Sequence, residues 1–166
     1  MELFRDGKLN PAVFEADIRH GTHELNDVLA AALHTQSSTV ESTHFLIALG
    51  KINGGVFQVG VPRAESITEQ GMKVPSSMGL STALNFQPTG GGKAAITGDF
   101  VLTGTEVNPV IAALRGNGIN VTALHSHMLD EEPRLFFMHF WANDDAVKLA
   151  KGLRAALDKT NSEKGK

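Results

Sequence analysis

The segment Arg134 to Trp141 (RLFFMHFW) constrains the fold most, because apolar side chains fall on both of its faces when it is written as a strand. A strand with one wet face alternates apolar and polar residues. A strand apolar on both faces must be covered on both, so it belongs inside a sheet with a layer above and a layer below. Ile119 to Leu129 has a similar texture, and Asp130-Glu131-Glu132-Pro133 supplies turn residues between the two, so the pair reads as a central hairpin.

The elements around this hairpin follow from local signals. Thr82 to Gln87 and Lys93 to Leu102 read as two more strands, joined by Pro88-Thr89-Gly90-Gly91-Gly92. Thr105 caps a helix with Glu106 in its first turn and Val107, Val110, Ile111 and Leu114 as its buried stripe, stopped by Gly116 and Gly118. Asn143 caps a last helix whose stripe is Ala146, Leu149, Ala150, Leu153 and Leu157. The order from residue 82 is thus ββαββα, preceded by a strand-favouring run from Val56 to Val61. Residues 1 to 52 read as three short helices: one opened by Asn10-Pro11, one from Thr22 to His34 with Leu25, Val28, Leu29, Ala32 and Leu33 on one face, and one through Phe45 to Leu49. The expected class is α+β, a short helical N-terminal segment followed by a mainly antiparallel sheet with helices on one face. Its divisions are a helical segment at 1–52, an α+β domain at 53–158 and a polar tail at 159–166.

Charge and cysteine usage exclude several functions. Fifteen Lys and Arg against 18 Asp and Glu give a net charge of -3, which provides no field for a polyanion, so no nucleic-acid partner is expected. With no cysteine there is no disulfide, no thiolate nucleophile and no sulfur ligand for a metal. No stretch of about 18 apolar residues is present, so no membrane partner is expected. The first residues, MELFRDGKLN, carry no secretory signal, and as given the chain reads as cytoplasmic; a longer precursor with an export signal would read the same over these residues. The glycine run Thr89-Gly90-Gly91-Gly92-Lys93 is not a phosphate loop, because its lysine opens a strand rather than a helix.

The chemistry that remains is histidine chemistry. Seven histidines fall in two groups, His20, His23, His34 and His44 in the first 52 residues and His125, His127 and His139 in the central hairpin. Two residues apart on a strand, His125 and His127 project from one face with Cα atoms roughly 6.5 to 7 Å apart, so both can reach one ion. His139 on the neighbouring strand completes a facial set only if the register allows. A four-residue loop puts it on the wrong face, whereas a loop of three or five residues, or a bulge, puts it on the right one. Imidazole and carboxylate suit a divalent metal ion, zinc or another first-row transition metal, and Glu106 is the candidate oxygen ligand or general base. A metal-free acid–base role for one histidine, assisted by Glu106 or Asp99, is the lesser alternative.

Two resemblances add to this. GGVFQVGVPR (54–63), GDFVLTGTEVNPVIAALRGNGINVTALHSHML (98–129) and EEPRLFFMHFWA (131–142) resemble the LppY/LpqO family, bacterial proteins that carry a domain of unknown function. The resemblance implies no activity, but its motif includes Glu106, Asn108, His125, His127 and His139. Ser126 departs from the Asn of that motif, and family members are commonly longer and exported. Residues 13–52, with Thr43-His44-Phe45-Leu46-Ile47-Ala48-Leu49, are similar to one amino-terminal repeat of the Clp ATPase chaperones, which implies a docking module for a protein partner and none of the ATPase motifs. Two readings stand: a protein that binds a divalent metal through His125, His127, His139 and Glu106, with metal-assisted chemistry on a small molecule; or an adaptor whose helical segment docks a partner while the histidines are structural. A homodimer is expected as well, because a single three-helix repeat leaves an apolar face to cover.

Overall fold

Two strands of eleven residues form the spine, β8 (Lys93–Thr103) and β11 (Leu135–Asp145), antiparallel along their whole length with Asp99 opposite His139 and Phe100 opposite Met138. The computed structural model describes residues 50–163 together with the short segments 4–5 and 8–9. Outward from β8 lie β7 (Ser81–Gly90), β4 (Val56–Pro62) and β3 (Gly50–Asn53), and beyond β11 lies β9 (Asn120–His125). The six strands run β3-β4-β7-β8-β11-β9, each antiparallel to its neighbours. The β7–β8 connection tightens to Gly91-Gly92, with positive φ at Gly90, Gly91 and Gly92, which only glycine adopts in succession without strain.

The helix-side face of β11 buries Met138, Phe140 and Ala142, whereas the other face is buried at Leu135 and Phe137 but half-buried at His139 and exposed at Trp141, so the expectation of a strand covered on both faces holds over its first residues and fails beyond them. On one face two helices, α1 (Gly104–Gly116) and α2 (Ala146–Leu157), bring Val110, Leu114, Leu149 and Leu153 against Phe86, Ile96, Phe100, Met138 and Phe140. On the other face Leu135, Phe137 and Val101 pack with Ile67 and Leu80. A second sheet of three short strands lies over this smaller core, in the order β10 (Glu131–Glu132), β5 (Ile67–Glu69), β6 (Met72–Val74). Each aromatic side chain fully withdrawn from water in these cores contributes about 1.5–3 kcal/mol of transfer free energy.

The expected class is corrected by these elements. The described residues are mostly antiparallel strand, with α1 and α2 as the α-helices among them. Phe4–Arg5 and Lys8–Leu9 (β1 and β2) pair as antiparallel strands, and Gly50–Asn53, taken as the end of a helix, pairs with β4. The helical N-terminal segment of an α+β fold is therefore not found where described residues fall within 1–52; the helices expected between 10 and 49 lie outside the described residues. Nor is the order from residue 82 simply ββαββα. The chain leaves the main sheet after His125, and Glu131 and Glu132 pair with Glu69 and Thr68 of the second sheet instead of forming a loop. The cause is local. Buried Glu131 accepts the Leu135 N–H at 2.9 Å and Arg134 donates to the carbonyls of Met128 and Leu129, a network that holds 128–135 away from a plain hairpin. Strand β9 is also an edge strand, largely exposed, not a covered central one.

Three other details differ from expectation. Asn143 lies in β11 opposite Ala95, and the cap of α2 is Asp145, whose side chain accepts the Lys148 N–H at 2.9 Å. Helix α1 begins one turn-half earlier, capped by Thr103 in an extended conformation with Glu106 reaching back to it. The polar tail is tied down over 159–163: Ala64 donates to the Asn161 carbonyl at 2.9 Å, and Glu163 donates to that of Pro62 at 2.8 Å.

Candidate metal centre

The β9–β11 register answers the question the sequence left open. His125 pairs with Phe137 and His139 with Ala123, so His125 and His139 leave the sheet on the same face, the one opposite the helices. A bulge after His139 then pairs Phe140 with Val121 and returns Val121 to the helix side. His127 lies just beyond the end of β9, and its ring stacks on Phe137 with centroids 3.5 Å apart and planes 13° apart. That aromatic floor fixes a side chain which the strand itself no longer holds.

The three rings converge. One nitrogen from each of His125, His127 and His139 lies within 4.8 Å of the others, with His125 and His127 exposed and His139 half-buried. The His125 and His139 rings are stacked at 14°, and their Nε2 atoms are 2.9 Å apart. With metal–nitrogen bonds of about 2.0–2.1 Å, adjacent ligands of an octahedral ion sit about 3.0 Å apart and those of a tetrahedral ion about 3.4 Å apart, so small side-chain adjustments accommodate either geometry. Partial desolvation of the ring, one face of which lies on Phe137, and then the neighbouring His125 push the His127 imidazole below its ordinary pKa, which favours the neutral form that ligates. Asp99, directly across the ladder from His139, is pushed above the usual carboxylate range by burial, against the pull of His139, His127 and His125.

Glu106 does not join this group. Its Oε2 accepts from Arg63 Nη1 at 2.8 Å and from the Thr103 N–H at 2.7 Å, and its Oε1 accepts from Arg63 Nη2 at 3.1 Å and from the Asn161 N–H at 2.7 Å. Arg63 also donates to Glu65 and to the Val101 carbonyl, which uses its guanidinium fully. Burial works against the Glu106 charge, yet the Arg63 guanidinium and the two N–H donors hold its carboxyl below the usual range. The expected ligand and general base is instead the centre of a structural lock between β4, α1 and the chain end. Asn108 is exposed on α1 and contributes nothing to the cluster.

What the residues alone did not reveal is Phe137 as the support of His127, nor that Asp99, one of the two carboxylates expected to assist a histidine, stands opposite His139 in particular. Both depend on cross-strand register. A strand aspartate flanked by Gly98 and Phe100 was the available signal for Asp99.

Three imidazoles on an open sheet face, with room for other ligands, define the class of a candidate transition-metal centre on a mostly antiparallel β fold. A family model described as a domain of unknown function (DUF1259) matches residues 41–159, and the chain belongs to that family. Comparison with curated proteins and with solved structures returns no match. The matched stretch holds all three histidines and begins upstream of the domain boundary expected at residue 53. Among the described residues, no helix is long and apolar enough to cross a membrane.

Proposed function

We propose that this protein binds one divalent transition-metal ion through His125, His127 and His139 and uses the ion's remaining coordination positions for chemistry on a small molecule. The observation that carries this is the convergence of three imidazole nitrogens within 4.8 Å on a solvent-facing side of the sheet. Structural zinc sites close the shell with four protein ligands, whereas catalytic ones keep a position for water or substrate. Three ligands at an exposed site are of the second kind. An ion held there lowers the pKa of bound water toward neutrality and polarises a carbonyl or phosphoryl oxygen. Zinc or another first-row ion suits an all-imidazole set. The domain is also read as LppY/LpqO-like, on the segments 54–63, 98–129 and 131–142.

The test is the metal content of tag-free protein by plasma mass spectrometry, beside His125→Ala. About one ion per chain in the wild type and none in the variant is expected. No ion in the wild type, even after incubation with zinc, manganese, iron, nickel and copper salts, would remove the proposal.

A further inference from the structure

The histidine cluster contains no carboxylate, yet a carboxylate with no hydrogen-bond partner among the described residues stands next to it. Asp99 is the ladder partner of His139 across β8 and β11, so the two side chains rise from the same face of the sheet. The row in which they stand is otherwise small: Gly60 and Ala83 lie on the Asp99 side and Ala123 on the His139 side. No large side chain of that row comes between Asp99 and its partner. Asp99 is half-buried, and among the described residues no hydrogen bond to its carboxylate is present. All three histidines act on it electrostatically.

Leaving a half-buried carboxylate without a donor costs free energy. The molecule avoids that cost at Glu106, where four donors meet two oxygens. At Asp99 a donor becomes available when His139 commits one ring nitrogen to an ion, because the other then carries the proton and needs an acceptor. The His139 Nε2 already faces His125, which leaves Nδ1 as the donor. Asp99 is not among the groups whose ligating atoms converge, which keeps it outside the ligand set.

We propose that Asp99 is the outer-sphere carboxylate of the metal centre, a positioning residue that accepts the Nδ1–H of metal-bound His139, fixes that ring and offsets part of the ion's charge. This rests on the metal-binding reading of the three histidines. Ligating histidines commonly hand their second N–H to a carboxylate, and losing that partner costs 10- to 100-fold in metal affinity.

The experiment uses the full chain and measures zinc affinity by competition with a chromogenic chelator, together with the visible spectrum of the cobalt(II) form, for wild type, Asp99→Asn, Asp99→Ala and His139→Ala. The expected result is one zinc per chain in wild type and in both Asp99 variants, with affinity lowered about 10- to 100-fold in the variants and the cobalt band shape unchanged. His139→Ala should lose both tight binding and that spectrum. Equal affinity of wild type and Asp99→Asn would overturn the inference, and so would a cobalt spectrum altered by Asp99→Asn, which would make Asp99 a ligand. If Asp99→Asn fails to fold, Asp99→Ala carries the same comparison. Wild type that takes up no zinc would instead refute the metal-binding reading on which the inference rests.

Discussion

Two clusters of ionisable groups among the described residues are built on opposite terms. Around Arg63, every donor and every carboxylate oxygen of Glu106 has a partner, and Arg63 itself is buried. Around His139, the rings of His125 and His127 are open to solvent, and among the described residues no donor reaches the Asp99 carboxylate. A saturated network has nothing left to offer a ligand, while an unsaturated one with converging nitrogens does. The difference separates a structural ion pair from a candidate site without reference to which residues look more reactive in the sequence.

The largest effect expected from breaking this contrast is at the lock. Glu106→Ala leaves a buried guanidinium with only Glu65 as its counter-charge and should cost about 3–5 kcal/mol, read from the midpoint of urea unfolding. Metal stoichiometry of the folded fraction should not change. His139→Ala should do the reverse, abolishing metal uptake while moving apo stability by about 1 kcal/mol or less. If Glu106→Ala abolished metal binding in folded protein, the division between the two clusters would fail.

Phe137→Ala joins the two concerns, since the ring lies in the smaller core and carries His127 on its face. It should cost about 3–5 kcal/mol in unfolding measurements and also weaken metal binding in whatever protein remains folded. Gly98→Ala is a smaller probe of the sheet beneath the centre. A Cβ at Gly98 would stand 1.9 Å from the Ala83 carbonyl oxygen and 3.0 Å from the Phe140 ring. Backbone must therefore move beside Asp99, at about 1–3 kcal/mol.

Acid should separate the clusters without mutation. The folded-state pKa of His127 lies below its ordinary value of 6.5, so the unfolded chain takes up that proton first. The contribution of neutral His127 to stability is present above that value and is lost as pH falls below it. Metal affinity should fall over the same window, because a protonated imidazole cannot ligate. Glu106 is held below its ordinary value of 4.5, so the lock contributes stability above that value and loses it only as pH drops further, through the folded-state pKa. Titration of zinc affinity and of apo stability from pH 7.5 to 4 should therefore show metal lost well before the fold. Simultaneous loss of both would count against the separation.

The sequence carried some of this and hid the rest for identifiable reasons. The strands β7, β8 and β11 were legible because both-face apolarity and the glycine turn are local properties, and so were the stripes of α1 and α2. The histidine set was legible as a possibility of spacing, since His125 and His127 stand two apart. Whether His139 shared their face was not legible, because it depends on how 126–134 is drawn into a second sheet by Glu131 and Arg134. Glu106 misled for a related reason. Its place in the first turn of a helix is a capping position as much as a ligand position, and the partner that decides between them, Arg63, is 43 residues away in the chain. Asp99 is legible in the sequence only as a carboxylate able to assist a histidine, because which histidine it stands beside is decided by its ladder partner. The helical reading of the N-terminal residues rested on apolar spacing and on the Asn10-Pro11 start signal, and Gly50–Asn53, read as the end of a helix, pairs with β4 as a strand.

The most direct test of the metal centre is an anomalous-scattering map from crystals of the tag-free protein grown with zinc, with data collected on both sides of the zinc absorption edge. The expected result is one strong peak per chain, within bonding distance of imidazole nitrogens of His125, His127 and His139, with at least one further position held by water and with Glu106 still bound to Arg63. A peak absent from this face, or one bonded to Glu106 with the Arg63 pair broken, would contradict it.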